Sequence, residues 1–165
     1  MKLKTPMQDG PTSCVPYGFA FAIEDALRRA GPQYMRQIDR HVIKNITGFP
    51  IEVLKAAERL DTANTFDIFC VKFVLLAQPA LVQFPIVVSY WADGIAHCVV
   101  AVGVTNTEVT FYDPAYGEYR KMAIDNFVAK TATYVVVLPS SPTVTNSFYD
   151  NVIGRFIGRL LGLID

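Results

Sequence analysis

Cys14 stands where a turn gives way to an apolar run, in the stretch "MQDGPTSCVPYGFAF" at residues 7–21. A thiol attacks a carbonyl carbon as its thiolate, and the free amides and positive dipole end of a helix N-terminus favour that charge, as does a neighbouring imidazolium. Gln8, six residues before Cys14, can add its side-chain amide to the Cys14 backbone N–H as a second donor for a tetrahedral oxyanion. For a base there are two candidates, because His41 and His97 are the only histidines. His41 lies in the charged run "RQIDRHVIK", which reads as a surface helix, whereas His97 opens the apolar run "HCVVAVGV". Residues of these types suit acyl transfer through a thioester.

His97 then needs a carboxylate to orient it. The segment "HCVVAVGVTNTEVTFYD" reads as two strands joined at Thr105-Asn106-Thr107. With that hairpin centred on Asn106, residues whose numbers add to 212 oppose one another. His97 then faces Ala115, and Asp113 is its diagonal neighbour on the same face, about 7 to 8 Å away at the backbone. A slip of one residue would send the two to opposite faces. Asp93, in the turn "WADG", is the rival carboxylate. Strand alternation puts Cys98 on the face away from His97, where it reads as core; Cys70, in an apolar run, reads the same way, and Trp91 reads as core before site.

The elements that must position these residues fall into two textures. Residues 15–30 repeat Val15, Phe19, Ile23, Ala26 and Ala30 at helical steps, stop at Gly31-Pro32, and predict a helix beginning at or beside Cys14. Pro16 is compatible with its first turn, where an N–H has no helical partner. Two further helices are predicted over about residues 34–44 and 50–59, the latter from Ile51, Leu54 and Ala57. From Phe66 onward come the strand-like runs "FDIFCV", "FPIVVSYW", "HCVVAVGV", "EVTFYD" and "TYVVVLP", with residues 73–82 readable as either helix or strand. Helices first and a mostly antiparallel sheet second predict an α+β fold.

The organisation expected is one domain over residues 1–139, a polar linker over 140–146 and an amphipathic helix over 147–165. In that last segment Ser147 and Asp150 resemble a capping box, and Tyr149, Ile153, Phe156, Leu160 and Ile164 share one face. Gly154, Gly158 and Gly162 form a small-residue stripe beside Arg155 and Arg159. Its expected partner is its own domain, a twin copy, another protein or a membrane surface.

Composition narrows the class further. Fifteen basic residues balance fifteen acidic ones, so no nucleic-acid partner is expected, and a chain that is 52% hydrophobic and 18% charged is not a disordered one. Three unevenly spaced cysteines and a polar N-terminus without a secretory pattern point to a reduced, cytoplasmic setting. Neither zinc-ligand spacing nor a cofactor motif occurs, so no metal or cofactor is expected. No run of about 20 apolar residues predicts a transmembrane span.

The pattern of Gln8 and Cys14 at Q-x5-C, the helix that follows, and "H-x15-D-P-A-x-G" from His97 through Asp113, Pro114, Ala115 and Gly117 resembles the papain-like cysteine peptidases. Within them it is most similar to the bacteriocin-processing, double-glycine leader peptidases and their stand-alone relatives. "FPIVVSYW" matches the block before the histidine, and the likeness spans about residues 5–138. The resemblance implies a helical lobe bearing the nucleophile, a β lobe bearing the base, and the site between them. It implies Cys14 as nucleophile, His97 as general base and then acid, Asp113 as its orienting group, Gln8 in the oxyanion hole, and a peptide or protein as substrate. Where the family commonly has Gly after the nucleophile, this chain has Val15 and Pro16. A second alignment, on "GPTS", would put Asp9 in the nucleophile's place and make the protein catalytically silent, a binding module of the same fold. A transglutaminase-like acyltransferase also runs Cys, His, Asp in order, although the 83 residues from Cys14 to His97 exceed the interval usual in such domains.

Overall fold

The computed structural model describes residues 7–48, 52–63 and 69–140. The expected C-terminal helix at 147–165 lies outside the described residues. The architecture is α+β: helix α1 (Cys14–Ala30), a short 3-10 turn (Pro32–Tyr34), α2 (Arg40–Thr47) and α3 (Val53–Thr62) precede a six-stranded sheet. Its strands are β1 (Val71–Leu76), β2 (Ile86–Ala92), β3 (Ile95–Val104), β4 (Glu108–Asp113), β5 (Glu118–Ala123) and β6 (Thr131–Pro139), with α4 (Ile124–Lys130) between the last two. The order across the sheet is β1-β6-β2-β3-β4-β5, and each neighbouring pair is antiparallel.

The helical half departs from the sequence reading in its boundaries. Where one helix over 34–44 was expected, the chain makes a 3-10 turn and an extended piece before α2 begins at Arg40, because the Asp39 side chain accepts from the His41 N–H and caps the helix there. Helix α3 (Val53–Thr62) buries Val53, Ala56, Ala57 and Leu60, a stripe at helical steps; of the expected set Ala57 is in it, Leu54 is half-buried, and Ile51 lies outside the described residues. The ambiguous piece at 73–82 begins as strand β1 and then turns. Strand β5 and helix α4 had no counterpart in the sequence reading.

Helix α1 starts at Cys14, as its pattern predicts, but it is buried nearly all round. It packs with α2 and α3 on one side and on a sheet face made by Val87, Cys98, Val100, Tyr112, Val135 and Val137. The opposite sheet face forms a second cluster around Ile86, Val88, Tyr90, Val99, Phe111 and Val136, closed by Phe127 of α4. This two-sided burial explains the unbroken apolar runs of β2, β3 and β6. Two acids inside the helical half are matched by partners. Asp25 pairs with Arg28 and Arg29, and Glu24 accepts from the Ile38 N–H at 2.8 Å with Arg40 at 3.6 Å. Among the described residues no helix is long and apolar enough to cross a membrane.

Candidate active site

The thiol of Cys14 is placed by a turn and a helix start. The Ser13 N–H donates to the Gly10 carbonyl at 3.1 Å, which closes the turn, and Cys14 is the first residue of α1. Its own N–H therefore has no partner within the helix. Pro16 sits in the same first turn, where the lost N–H costs no helical bond. One turn further on, Gly18 lets strand β3 come close: a Cβ there would meet the Cys98 sulfur at 2.8 Å. Residue 97, next to Cys98 on that strand, is thereby brought beside the helix start.

Gln8 is held beside this turn by the loop after β4. Its N–H donates to the Pro114 carbonyl at 2.8 Å, and its Nε2 donates to the Gly10 carbonyl at 2.7 Å, leaving one amide hydrogen uncommitted. Its Oε1 is buried with no hydrogen-bond partner among the described residues. Gly117 makes this approach possible. It adopts a φ of +64°, and a Cβ there would come within 2.8 Å of the Met7 nitrogen.

His97 and Asp113 meet through a correction to the expected register. The β3–β4 turn pairs Val104 with Val109 and Gly103 with Thr110, one residue out of the predicted alignment. A β-bulge at Val102 then takes up one extra residue on β3, so that Ala101 pairs with Phe111 and Val100 with Tyr112, back in the predicted alignment. Beyond the bulge His97 and Asp113 fall on one face, and His97 Nε2 lies 2.7 Å from Asp113 Oδ1. The Cys14 side chain lies near enough to the ring to favour its charged form. Burial alone would make the imidazole less basic; the Asp113 carboxylate and the Cys14 sulfur outweigh it and raise the His97 pKa to about 9.

Asp113 is itself 1% exposed and fully engaged. Oδ1 also accepts from the Ala115 N–H at 3.0 Å, Oδ2 accepts from Arg120 Nη1 at 3.1 Å, and the main-chain oxygen accepts from the Gly117 N–H at 2.9 Å. Burial pushes its pKa up, but His97 and Arg120 pull it below the ordinary carboxylate value, so it stays ionised. Arg120 was missed in the sequence. It stands on β5, diagonal to Asp113 across the β4–β5 pair, and its guanidinium lies 4.7 Å from the centre of the Tyr116 ring.

The other candidates lie elsewhere or play other parts. His41 is exposed on α2, and Asp93 is exposed in the two-residue turn between β2 and β3, at φ 51°. Asp9 is exposed and paired with Lys44 at 3.3 Å. Cys98 is fully buried, and burial pushes its thiol pKa well above the ordinary value. Two readings need correction. Cys70 is half-buried just before β1 at φ 54°, not inside a continuous strand. Trp91 is 53% exposed, because it sits at the strand end adjoining the Asp93-Gly94 turn. Among the described residues no cluster of three metal-ligating side chains occurs.

Residues 81–132 match the sequence model of the family described as papain-like cysteine protease AvrRpt2. No curated protein matches the chain. Solved structures with a similar fold include the peptidase domain of Streptococcus ComA, a bifunctional ABC transporter of a quorum-sensing pathway, at a TM-score of 0.64 and 13% identity, over 83% of this chain and 98% of that one. A double glycine motif protease from an AMS/PCAT transporter, in complex with the leader peptide, gives a TM-score of 0.59 at 15% identity over 81% of this chain and 89% of that one. The peptidase domain of Streptococcus mutans ComA gives 0.53 at 14% identity over 83% and 100%. In fold, then, the chain is similar to the peptidase domains of ComA and of an AMS/PCAT transporter, and residues 81–132 carry the sequence pattern of a papain-like cysteine protease family.

Proposed function

We propose that this protein is a cysteine peptidase that hydrolyses a peptide bond through Cys14, His97 and Asp113, with Gln8 in the oxyanion hole. The observation that carries the reading is that buried Asp113 holds His97 at 2.7 Å, while the side chain of Cys14, the first residue of helix α1, interacts with the same imidazole. A strongly basic imidazole beside a thiol at the positive end of a helix favours the thiolate-imidazolium pair.

In the proposed reaction the Cys14 thiolate attacks the scissile carbonyl carbon. The resulting oxyanion accepts from the Cys14 N–H and from the uncommitted amide hydrogen of Gln8. Collapse breaks the C–N bond while the His97 imidazolium gives its proton to the departing amine, leaving a thioester. His97 then takes a proton from water as that water attacks the thioester, and the acid product leaves with the thiolate restored. Asp113 keeps the imidazole in one orientation and stabilises its charged form throughout.

The substrate is proposed to be a peptide or protein. One structure of similar fold holds a leader peptide, which makes leader sequences ending in two glycines the first to try. The test is incubation with such peptides and with a diverse peptide pool, reading new C-termini by mass spectrometry, with Cys14→Ala as the control. The expected result is cleavage lost in that variant and a thioester trapped on Cys14 at low pH. Failure of a thiol-directed peptidyl probe to label Cys14 would overturn it, and amine incorporation in place of hydrolysis would replace it with acyl transfer.

A further inference from the structure

Asp113 is a buried anion shared by two cations on opposite sides. His97 from β3 takes Oδ1 at 2.7 Å, and Arg120 from β5 takes Oδ2 at 3.1 Å. The other titratable groups near this carboxylate among the described residues are Cys98 on β3, Tyr112 on β4 and Glu118, paired opposite Asp113 on β5; Cys14 at the start of α1 is near His97, Tyr116 is near Arg120, and Tyr90 on β2 is near both. Among these described neighbours Arg120 alone carries a fixed positive charge, since a guanidinium does not titrate in the working range of a protein. Its head is braced from the far side by the Tyr116 ring at 4.7 Å, although the side chain as a whole is 44% exposed.

We propose that Arg120 is a positioning residue for the reaction: it fixes the plane of the Asp113 carboxylate against His97 and draws part of that carboxylate's field away from the imidazole. The inference rests on the peptidase reading above. Two hydrogen bonds to one carboxylate from opposite sides leave it no free rotation, so the His97 ring is held in one orientation. The charge balance matters as much as the geometry. A buried carboxylate facing an imidazolium alone would stabilise the charged ring without limit set by a competitor, and a ring that holds its proton too firmly is a poor acid toward a departing amine. Arg120 is the counterweight that keeps His97 able to release its proton. A residue needed only for stability would not discriminate between leaving groups.

The experiment uses the full chain with Arg120→Met and Arg120→Lys. The titration of His97 is followed by NMR of the imidazole carbon-bound protons, with exposed His41 as an internal standard; this readout needs no turnover. Arg120→Met is expected to raise the His97 midpoint by roughly half a pH unit to one unit, from one partly exposed charge removed at close range. Arg120→Lys is expected to restore most of the original midpoint. On substrates, Arg120→Met is expected to lower kcat about tenfold for a peptide amide and by less than threefold for an activated ester, whose leaving group needs no proton. Unchanged His97 titration in Arg120→Met, or equal losses on amide and ester, would overturn the proposal. A shifted titration in a protein that cleaves no peptide would uphold Arg120 and sink the peptidase reading. If Arg120→Met does not fold, Arg120→Gln, which keeps a hydrogen-bond donor and removes the charge, takes its place: an unchanged His97 titration, or equal losses on amide and ester, overturns the proposal in the same way.

Discussion

Arg29, near the end of helix α1, donates from Nη2 to the carbonyl of Val102 at 2.5 Å, across 73 residues of sequence. That carbonyl belongs to the bulge that restores the β3–β4 register, and the same Arg29 is held by fully buried Asp25. The helix that begins at Cys14 is thus tied at its far end to the irregularity that puts His97 and Asp113 on one face. Replacing Arg29 with Met leaves the bulge carbonyl and one Asp25 oxygen without their donor. The expected cost is about 2 kcal/mol of stability, less than that of a stranded buried charge because Arg28 still pairs with Asp25. Urea unfolding of Arg29→Met checks it, and a midpoint equal to wild type would remove the clamp from the account.

Thiol reactivity should separate the three cysteines. Cys14 interacts with the basic His97, whereas Cys98 is sealed in the core and burial disfavours ionisation of its thiol. Iodoacetamide at pH 7 is expected to modify Cys14 roughly tenfold or more faster than Cys98, whose burial opposes both access and ionisation, with sites read by peptide mapping. Cys14→Ala should keep the fold within about 1 kcal/mol, since only one small buried atom is lost.

Gly117 offers a test of the oxyanion hole from a distance. Alanine there must hold a φ of +64° and place a Cβ against the Met7 backbone, next to Gln8. The left-handed conformation alone costs about 1 kcal/mol for a non-glycine residue. Displacement of the Gln8 amide should lower kcat by roughly 10²-fold with little change in KM, the pattern expected when a transition-state donor is lost. Gln8→Ala should match it, and the double variant should be no worse than either; additive losses would show that the two act separately.

The raised pKa of His97 makes stability depend on pH in a defined window. Because the folded-state value of about 9 exceeds the ordinary 6.5, the folded chain binds the proton more tightly than the unfolded one. The stabilisation is complete below the ordinary value and is lost as pH rises through about 9. Urea midpoints should therefore fall over that interval, and Asp113→Asn, which removes the carboxylate partner, should flatten the fall. A wild-type midpoint constant between those values would contradict the charged His97 pair.

Much of the site was legible because its chemistry sits at element boundaries, where sequence speaks most directly. A turn before an apolar helix announced Cys14, and alternation in "HCVVAVGV" separated His97 from Cys98. The diagonal pairing of His97 with Asp113 was expected on a simple hairpin, yet it is reached through two offsets that cancel, a tighter turn and a bulge. Gly103, a lone glycine inside the strand-like run "VAVGV", is the trace of that bulge in the sequence, and it was not read as one. Arg120 was hidden for a different reason: "EYRKMA" is an exposed edge strand with no apolar alternation, so β5 itself left no trace. The start of α2 was misplaced because Asp39 was not read as a cap, and Trp91 because bulk was taken as a sign of burial.

The contact of Gly18 with Cys98 works as a spacer gauge beneath the site. With no side chain on the helix and a small sulfur on the strand, it sets how far apart the two supporting elements stand, one turn below Cys14 and one residue from His97. Any bulkier pair would wedge the thiol away from the ring, whatever happened at the surface. Substitution at the exposed Trp91 and Ile95, by contrast, would leave that floor as it is.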